Sequence, residues 1–285
     1  MNNDRILELQ KKATDVRLGA IEAVYNGKSG HPGGALSSAD IIACLYFSEL
    51  RINPKKPKDP SRDRFILSKG HSCPALYTAM AMRGFFDKKE LKNFRHLGSL
   101  TQGHPDMKTM KGIDMSAGSL GQGFSVACGM ALAGKINNQD YRTYVMIGDG
   151  ESQEGQIWEA TMFAAHYKLD NLCLIVDNNG LQIDGKVKDV MNVMPYPSKF
   201  KAFGWNVISI DGHNIQEILD AFDKARETKG KPTVIVAKTV KGKGVSFMEN
   251  QAGWHGKAPN EEQYKQAKGE LEAYKKSLEE GESNG

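Results

Sequence analysis

Asp149 stands between Gly148 and Gly150, directly after a short apolar run at residues 144–147, and its carboxylate is well placed to hold a cation. A second apolar run, residues 172–176, breaks at Asp177-Asn178-Asn179. Apolar runs this short, closed by glycine or Asn/Asp, read as buried parallel strands. A helical crossover between them makes a βαβ unit, with both breaks at carboxyl ends of strands, where open α/β sheets bind ligands. The first break offers a carboxylate between glycines that let backbone approach a ligand. The second offers the amide oxygen of Asn178 or Asn179, with backbone carbonyls following. One carboxylate, one amide and a carbonyl are too few for an all-protein cage. Such a set suits Mg²⁺ completed by phosphate oxygens and water. Taken singly, Gly-Asp-Gly is a turn and Asn-Asn a loop; their pairing across one crossover points to a metal–diphosphate ligand.

Further residues with chemical potential lie at comparable breaks. His31 sits in the Gly/Pro-rich turn at residues 29–34, ahead of a helix expected at 38–47. His71 follows a strand expected at 63–68 and opens a helix at about 74–83, where an anion is favoured. His104 lies in a second His-Pro turn, and a glycine-dense stretch follows at 118–123. Glu154 falls in the first turn of the crossover helix, a favourable place for a carboxylate. Lys241 belongs to a run of glycines and lysines at 238–244, after the last strand, that reads as an anion cradle. Ordinary turns and solvated lysines are the competing reading of each stretch taken alone.

The elements that must hold these groups are legible from periodicity. Ile6, Leu9, Ala13, Val16, Ala20 and Val24 predict a helix from 4 to about 26. Residues 53–60 form a Pro/Lys loop. Trp158, Met162 and Ala165 are expected as the buried stripe of the crossover helix, with His166 structural or facing solvent. Strands at 206–210 and 233–237 flank an amphipathic helix at 215–226, with His213 a turn residue. Residues 250–285 read as a C-terminal loop and a polar helical tail with a frayed end. The expected fold is a single α/β domain over 1–285, a doubly wound, mostly parallel sheet flanked by helices.

The chain has 285 residues, 40% apolar and 25% charged, as in ordinary globular proteins. Its formal charge of +4 comes with scattered lysines, so nucleic acid is not an expected partner. The four cysteines, Cys44, Cys73, Cys128 and Cys173, show no CxxC or metal-ligand spacing and suit a reducing, cytoplasmic setting. No apolar stretch approaches the roughly 18 residues of a membrane span, and the first residues lack a signal-peptide core.

Gly-Asp-Gly followed after 27 residues by Asn-Asn resembles the thiamine diphosphate signature. SGHPGG (29–34), DRFILSKGHS (63–72), GHPD (103–106), AGSLGQG (117–123) and WHGK (254–257), in this order, are similar to segments of the transketolase family. The resemblance implies the pyrophosphate-type thiamine diphosphate-binding fold, with Mg²⁺ (Ca²⁺ or Mn²⁺ able to substitute) held by Asp149, Asn179 and the Leu181 carbonyl. It further implies Gly150 backbone, His71, Lys241 and His255 beside the diphosphate, and Gly118, Ser119 and Leu120 around the rings. His31, His71, His104 and His255 would serve catalysis, three of them (His31, His104, His255) along the substrate channel. Glu154 would communicate between active sites, and His213 would be structural. Gly34 stands where several relatives carry a hydroxyl residue. The implied reaction of carbohydrate metabolism, as in the pentose phosphate pathway, passes a two-carbon ketol unit from a ketose, phosphorylated or not, to an aldose: a pentose phosphate, a shorter aldose phosphate or an unusual sugar. The resemblance covers only the N-terminal part of the usual enzyme, as in the N-terminal subunit of a split transketolase. The pyrimidine-binding and C-terminal domains, with the glutamate that activates the aminopyrimidine, would come from a partner subunit, in an α2β2 heterotetramer. The α-type subunit of a 2-oxo-acid dehydrogenase E1 and a non-catalytic thiamine diphosphate-binding module are the rival readings.

Overall fold

The computed structural model describes residues 3–283. Five strands, β1 (Arg64–Leu67), β2 (Thr143–Gly148), β3 (Leu172–Asn178), β6 (Asn206–Asp211) and β7 (Thr233–Lys238), form one sheet in the order β1-β2-β3-β7-β6. All neighbours are parallel. A two-stranded hairpin, β4 (Leu181–Gln182) with β5 (Gly185–Lys186), follows β3 directly. The register aligns Ile66, Val145, Leu174, Val234 and Val207 across the sheet. Both faces are covered, so the central strands are apolar throughout rather than alternating with polar residues.

Side chains of period two feed two cores. On one face Phe65, Tyr144, Met146, Cys173, Ile175 and Ile235 meet helices α1 (Asn3–Asn26), α3 (Ala39–Cys44), α4 (Cys73–Arg83) and α9 (Ile215–Glu227). On the other, Ile66, Val145, Ile147, Leu174, Val176 and Val234 meet α5 (Gln122–Ile136), α6 (Gly155–His166) and α8 (Tyr196–Ala202). Between α1 and α3 lies the short α2 (Pro32–Ser37), and α7 (Val187–Val190) follows the hairpin. Asn214 caps α9 by accepting from the Glu217 N–H at 3.2 Å, while its own Nδ2 donates to Glu217 at 3.0 Å. Four free cysteines are all buried, as expected for small apolar side chains. Among the described residues no helix is long and apolar enough to cross a membrane.

Three expectations are corrected. The run at 29–34 is not wholly a turn: Pro32 opens α2, where its fixed φ and missing N–H are suited to a first helical position. The helix expected at 38–47 runs on without a break from Ala39 to Glu49 but is not α throughout, α3 passing into a π-helical turn at Leu45–Glu49. The buried stripe of α6 is Ile157, Ala160, Thr161 and Ala164; Met162 is 56% exposed, and Trp158 and Ala165 are only partly buried. The buried face is thus one residue out of phase with the pattern of the largest side chains. The polar C-terminal helix, α10 (Glu261–Ser283), docks rather than floats. Ala267 and Leu271 are buried with Ile21, Val245, Met248 and Trp254, Tyr264 stacks on Tyr25 at 4.2 Å, and Lys275 pairs with Asp15 at 2.7 Å. The last two residues of the chain, where fraying was expected, lie outside the described residues.

Gly123 brings the start of α5 onto the end of β1: a Cβ there would lie 2.6 Å from Ser68 Oγ and 2.8 Å from Ser68 Cα. Gly129 in the same helix has nothing within 4 Å of such a Cβ. Gly123→Ala is therefore expected to destabilise by about 1–3 kcal/mol through overpacking. Gly129→Ala should instead stabilise by up to about 1 kcal/mol through helix propensity. Urea midpoints of the two variants check the opposite signs.

Candidate active site

A cavity of about 390 Å³ opens at the carboxyl edge of the sheet. His31, His71, His104, His255, Gly118, Leu120, Asp149, Gly150, Glu154, Asn179, Leu181 and Lys241 all line it. Ser119 shares the glycine turn but is exposed and stands outside the cavity wall. A larger cleft, about 630 Å³, lies at the opposite edge, where β2 and β3 begin. Its walls are already paired charges, Arg51 with Asp63, Lys135 with Asp170 and Arg226 with Glu49.

Asp149 follows the last residue of β2, with only 2% of its surface exposed. Its carboxylate accepts from the Gly180 N–H and, at 3.0 Å, from the Tyr196 hydroxyl. Burial pushes it up to about 7, against the pull of the Gly180 N–H. Asp149 forms no ion pair among the described residues, and no group of three or more His, Cys, Asp or Glu is arranged there to hold a metal. The oxygen set is the sparse one: the Asp149 carboxylate, the Asn179 amide and the Leu181 carbonyl. Asn179 Nδ2 donates to Asp177 at 3.2 Å and its Oδ1 accepts from the Leu181 N–H at 3.1 Å, which fixes the amide orientation.

Basic groups gather beside it. Lys241, 2% exposed, donates to His255 Nδ1 at 2.8 Å. Burial, then the Lys69 ammonium, brings Lys241 down to about 8. The rings of His31, His71 and His255 stand 5.0–5.3 Å apart, centroid to centroid. Burial and neighbouring cations keep them neutral: His255 is brought down to about 3 by burial and Lys241, His31 to about 4 by burial and Arg95. His71 falls well below its usual range through burial and Lys69, and His104 is lowered by burial and Arg95. Ser72 Oγ is buried without a partner among the described residues. It lies 2.6 Å from where a Gly34 Cβ would stand, a point itself 3.6 Å from Lys69 Nζ and 3.7 Å from His71 Nε2. Glycine leaves this corner open where a side chain would close it.

Three residues that hold the site were not singled out from the sequence. Asp177 is fully buried near the end of β3 and accepts from Lys69 Nζ, Thr239 Oγ1 and, at 2.7 Å, Ser37 Oγ. Burial alone would raise its proton affinity, yet the Lys69 ammonium holds the carboxyl below its usual range. Lys69 also donates to the Gly34 carbonyl at 3.0 Å. Glu151, 2% exposed, accepts from Ser68 Oγ and from the Gly121 and Gly148 N–H groups at 3.0 and 3.1 Å. It thereby ties the glycine-dense stretch to two strand ends. The one signal for Asp177 and Glu151 was their place next to the Asn-Asn and Gly-Asp-Gly breaks. His213, expected as a turn residue with a structural part, accepts from the Val240 N–H at 2.9 Å and meets Asp40 at 2.7 Å. His166 is exposed, as expected.

Residues 9–278 match the family model described as "Transketolase, thiamine diphosphate binding domain". Over 270 residues the chain is 45% identical to the 6-deoxy-6-sulfo-D-fructose transketolase subunit SqwG of Clostridium sp. (strain MSTE9), covering 95% of this chain and 98% of that protein. It is 43% identical over 279 residues to one of the subunits of the apulose-4-phosphate transketolase of Phocaeicola vulgatus, 98% of each being covered. Against human transketolase it is 42% identical over 259 residues, 90% of this chain but 41% of that one. The crystal structure of transketolase from Campylobacter jejuni superposes with a TM-score of 0.88 at 36% identity, covering 98% of this chain and 46% of that one.

Lys69 is the counter-charge of a carboxylate, Asp177, with no other cation in contact among the described residues, both side chains being at most 2% exposed. Lys69→Met is expected to cost about 3–5 kcal/mol, because it leaves a buried charge uncompensated. Chemical denaturation reads this directly; a loss under about 1 kcal/mol would show that the pair does not hold the site together.

Proposed function

The chain belongs to the transketolase family, and on that premise we propose that it is the diphosphate-holding subunit of an enzyme that moves a two-carbon ketol unit from a ketose to an aldose. One observation carries the assignment of the cavity. It is lined both by a buried carboxylate that forms no ion pair among the described residues, Asp149, and by a buried ammonium, Lys241, whose partner is a neutral imidazole. A divalent cation completes the first and an anion the second, and a metal-bound diphosphate is both at once.

The donor set fits that ligand. Asp149, the Asn179 amide oxygen and the Leu181 carbonyl would hold Mg²⁺, with Ca²⁺ or Mn²⁺ able to take its place. The Gly150 backbone, His71, Lys241 and the unpartnered Ser72 hydroxyl would meet diphosphate oxygens. Gly118 and Leu120 would bracket the rings, and Ser119, outside the wall, would contribute only through its backbone. When bound, thiamine diphosphate supplies the electron sink for cleaving and forming a carbon–carbon bond next to a carbonyl.

The histidines do the rest of this chain's work. A lysine ammonium only donates, so His255 Nδ1 must accept and its proton sits on Nε2. His31, His104 and His255 are neutral near pH 7 and would donate to, or accept from, hydroxyl and carbonyl oxygens of the sugar as protons move. A module that merely stored the cofactor would have no use for them. Glu154, exposed at the cap of α6 and on the cavity wall, is assigned to communication between sites across an interface.

The chain spans about two fifths of the length of full-length transketolases such as the human enzyme. Its similar relatives of equal length are named as subunits. Both facts support a partner that carries the pyrimidine domain and its activating glutamate, in an α2β2 assembly. Those relatives are named for a sulfo-sugar and a sugar phosphate, which supports substrates with an anionic end group, sugar phosphates first. Four free, buried cysteines are consistent with a cytoplasmic setting.

Asp149→Ala should weaken Mg²⁺-dependent thiamine diphosphate binding by more than about tenfold in calorimetry; tight metal-dependent binding by the variant would remove Asp149 from the site. The purified chain given cofactor, Mg²⁺ and a ketose–aldose pair should show no transfer by itself. Turnover without a second polypeptide would refute the divided site.

A further inference from the structure

Arg95 is held in the left-handed region at φ +63°, a conformation uncommon for residues other than glycine. Its backbone N–H donates to the Thr101 carbonyl at 2.9 Å, and its guanidinium lies over the buried Phe94 ring at 5.6 Å. From that seat the side chain reaches both His-Pro turns. One terminal nitrogen donates to Ser29 Oγ at 2.9 Å. The other lies 3.4 Å from His31 Nδ1 and 3.4 Å from the Gly103 carbonyl. Gly103 is fitted to it, since a Cβ there would stand 3.0 Å from Arg95 Nε. Arg95 does not line the cavity, so it acts on the site only through what it holds.

We propose that Arg95 is a positioning residue for the sugar-handling histidines: it clamps the turns bearing His31 and His104 to one another and, by donating to Nδ1 of His31, keeps that ring's proton on Nε2. A guanidinium is a donor only, so Nδ1 facing it must be the unprotonated nitrogen. Nε2 of His31 then presents the N–H, the same tautomer that Lys241 imposes on His255. The charged and titratable groups facing His31 all act in one direction: Arg95, His104 and Lys241 oppose its protonation, and its ring also meets those of His71 and His255. Tyr77 supports the second turn independently, donating to the His104 carbonyl at 2.8 Å. Removal of Arg95 should therefore loosen the relation between the turns without unfolding either. The part played in sugar handling rests on the function proposed above; the clamp and the tautomer do not.

The test is ¹⁵N-histidine NMR on the whole chain, comparing wild type with Arg95→Met, Arg95→Lys, Gly103→Ala and Ser29→Ala. In wild type His31 should show a single Nε2–H tautomer and stay neutral from about pH 8 to about pH 5. In Arg95→Met both tautomers should appear, and His31 and His104 should titrate higher than in wild type, as the nearby positive charge is lost while burial still opposes protonation. Arg95→Lys, which keeps a donor-only cation but not the fork that spans both turns, should keep the low titration. Gly103→Ala and Ser29→Ala should reproduce the tautomer mixture with Arg95 in place, and they carry the test if Arg95→Met does not fold. Unchanged His31 and His104 signals in the folded variants overturn the proposal. Metal-dependent cofactor binding, expected to stay within about twofold in every variant, is read separately. Its absence in wild type would sink the proposed function and leave the clamp standing.

Discussion

Everything at the carboxyl edge of the sheet depends on one buried ion pair, Lys69 with Asp177. Two charges taken out of water are costly unless each finds enough partners. Here they do: Asp177 collects donors from α2, from the end of β7 and from Asn179, and Lys69 adds the Gly34 carbonyl. The result joins segments more than a hundred residues apart in the chain, and each of them bears a group that faces the cavity. Such a knot fixes a particular arrangement more than it adds net stability, since an apolar pair of the same volume would bury with less penalty. Rigid placement is what a site assembled from strand ends requires, because its groups share no single element.

The same edge explains the electrostatics. Lys69, Lys241 and Arg95 surround four imidazoles, all of which are lowered. Cations this close to a histidine cluster make sense around a ligand that is itself strongly anionic, which would take up the positive field when bound. They also leave each ring that meets one directly, His31 and His255, with a defined donor and acceptor nitrogen, decided by the neighbour that can only donate.

The sheet was legible in the sequence because its apolar runs are of strand length, closed by glycine or Asn/Asp and rich in β-branched residues, which together favour buried strands over helix. Strand limits came within a residue or two, and the paired breaks at Asp149 and Asn179 do converge on one cavity. Two kinds of information were not legible. Helix phase was one: α6 buries the small residues Ala160, Thr161 and Ala164 with Ile157 rather than Trp158 and Met162, and side-chain size alone pointed to the wrong face. Partnership over long range was the other. Asp177 reads as a loop residue until Lys69 and Thr239 are brought to it by the parallel pairing of β1, β2, β3 and β7. Arg95 reads as one more surface arginine until both His-Pro turns fold against it.

The helix at the far end of the chain has a bearing on all this. Leu271 lies against Gly244, where a Cβ would come within 2.9 Å of it, and Glu270 accepts from the Ser246 N–H and hydroxyl at 2.7 Å each. Those contacts pin the stretch between Lys241 and His255, whose Trp254 shares the small core under α10. A segment remote from the cavity thus serves as a buttress: the aim of the His255 imidazole is set partly by how firmly a surface helix is seated behind it. Anything that pried that helix loose, a protease or a fused sequence pulling on it, would reach the cavity wall without touching it.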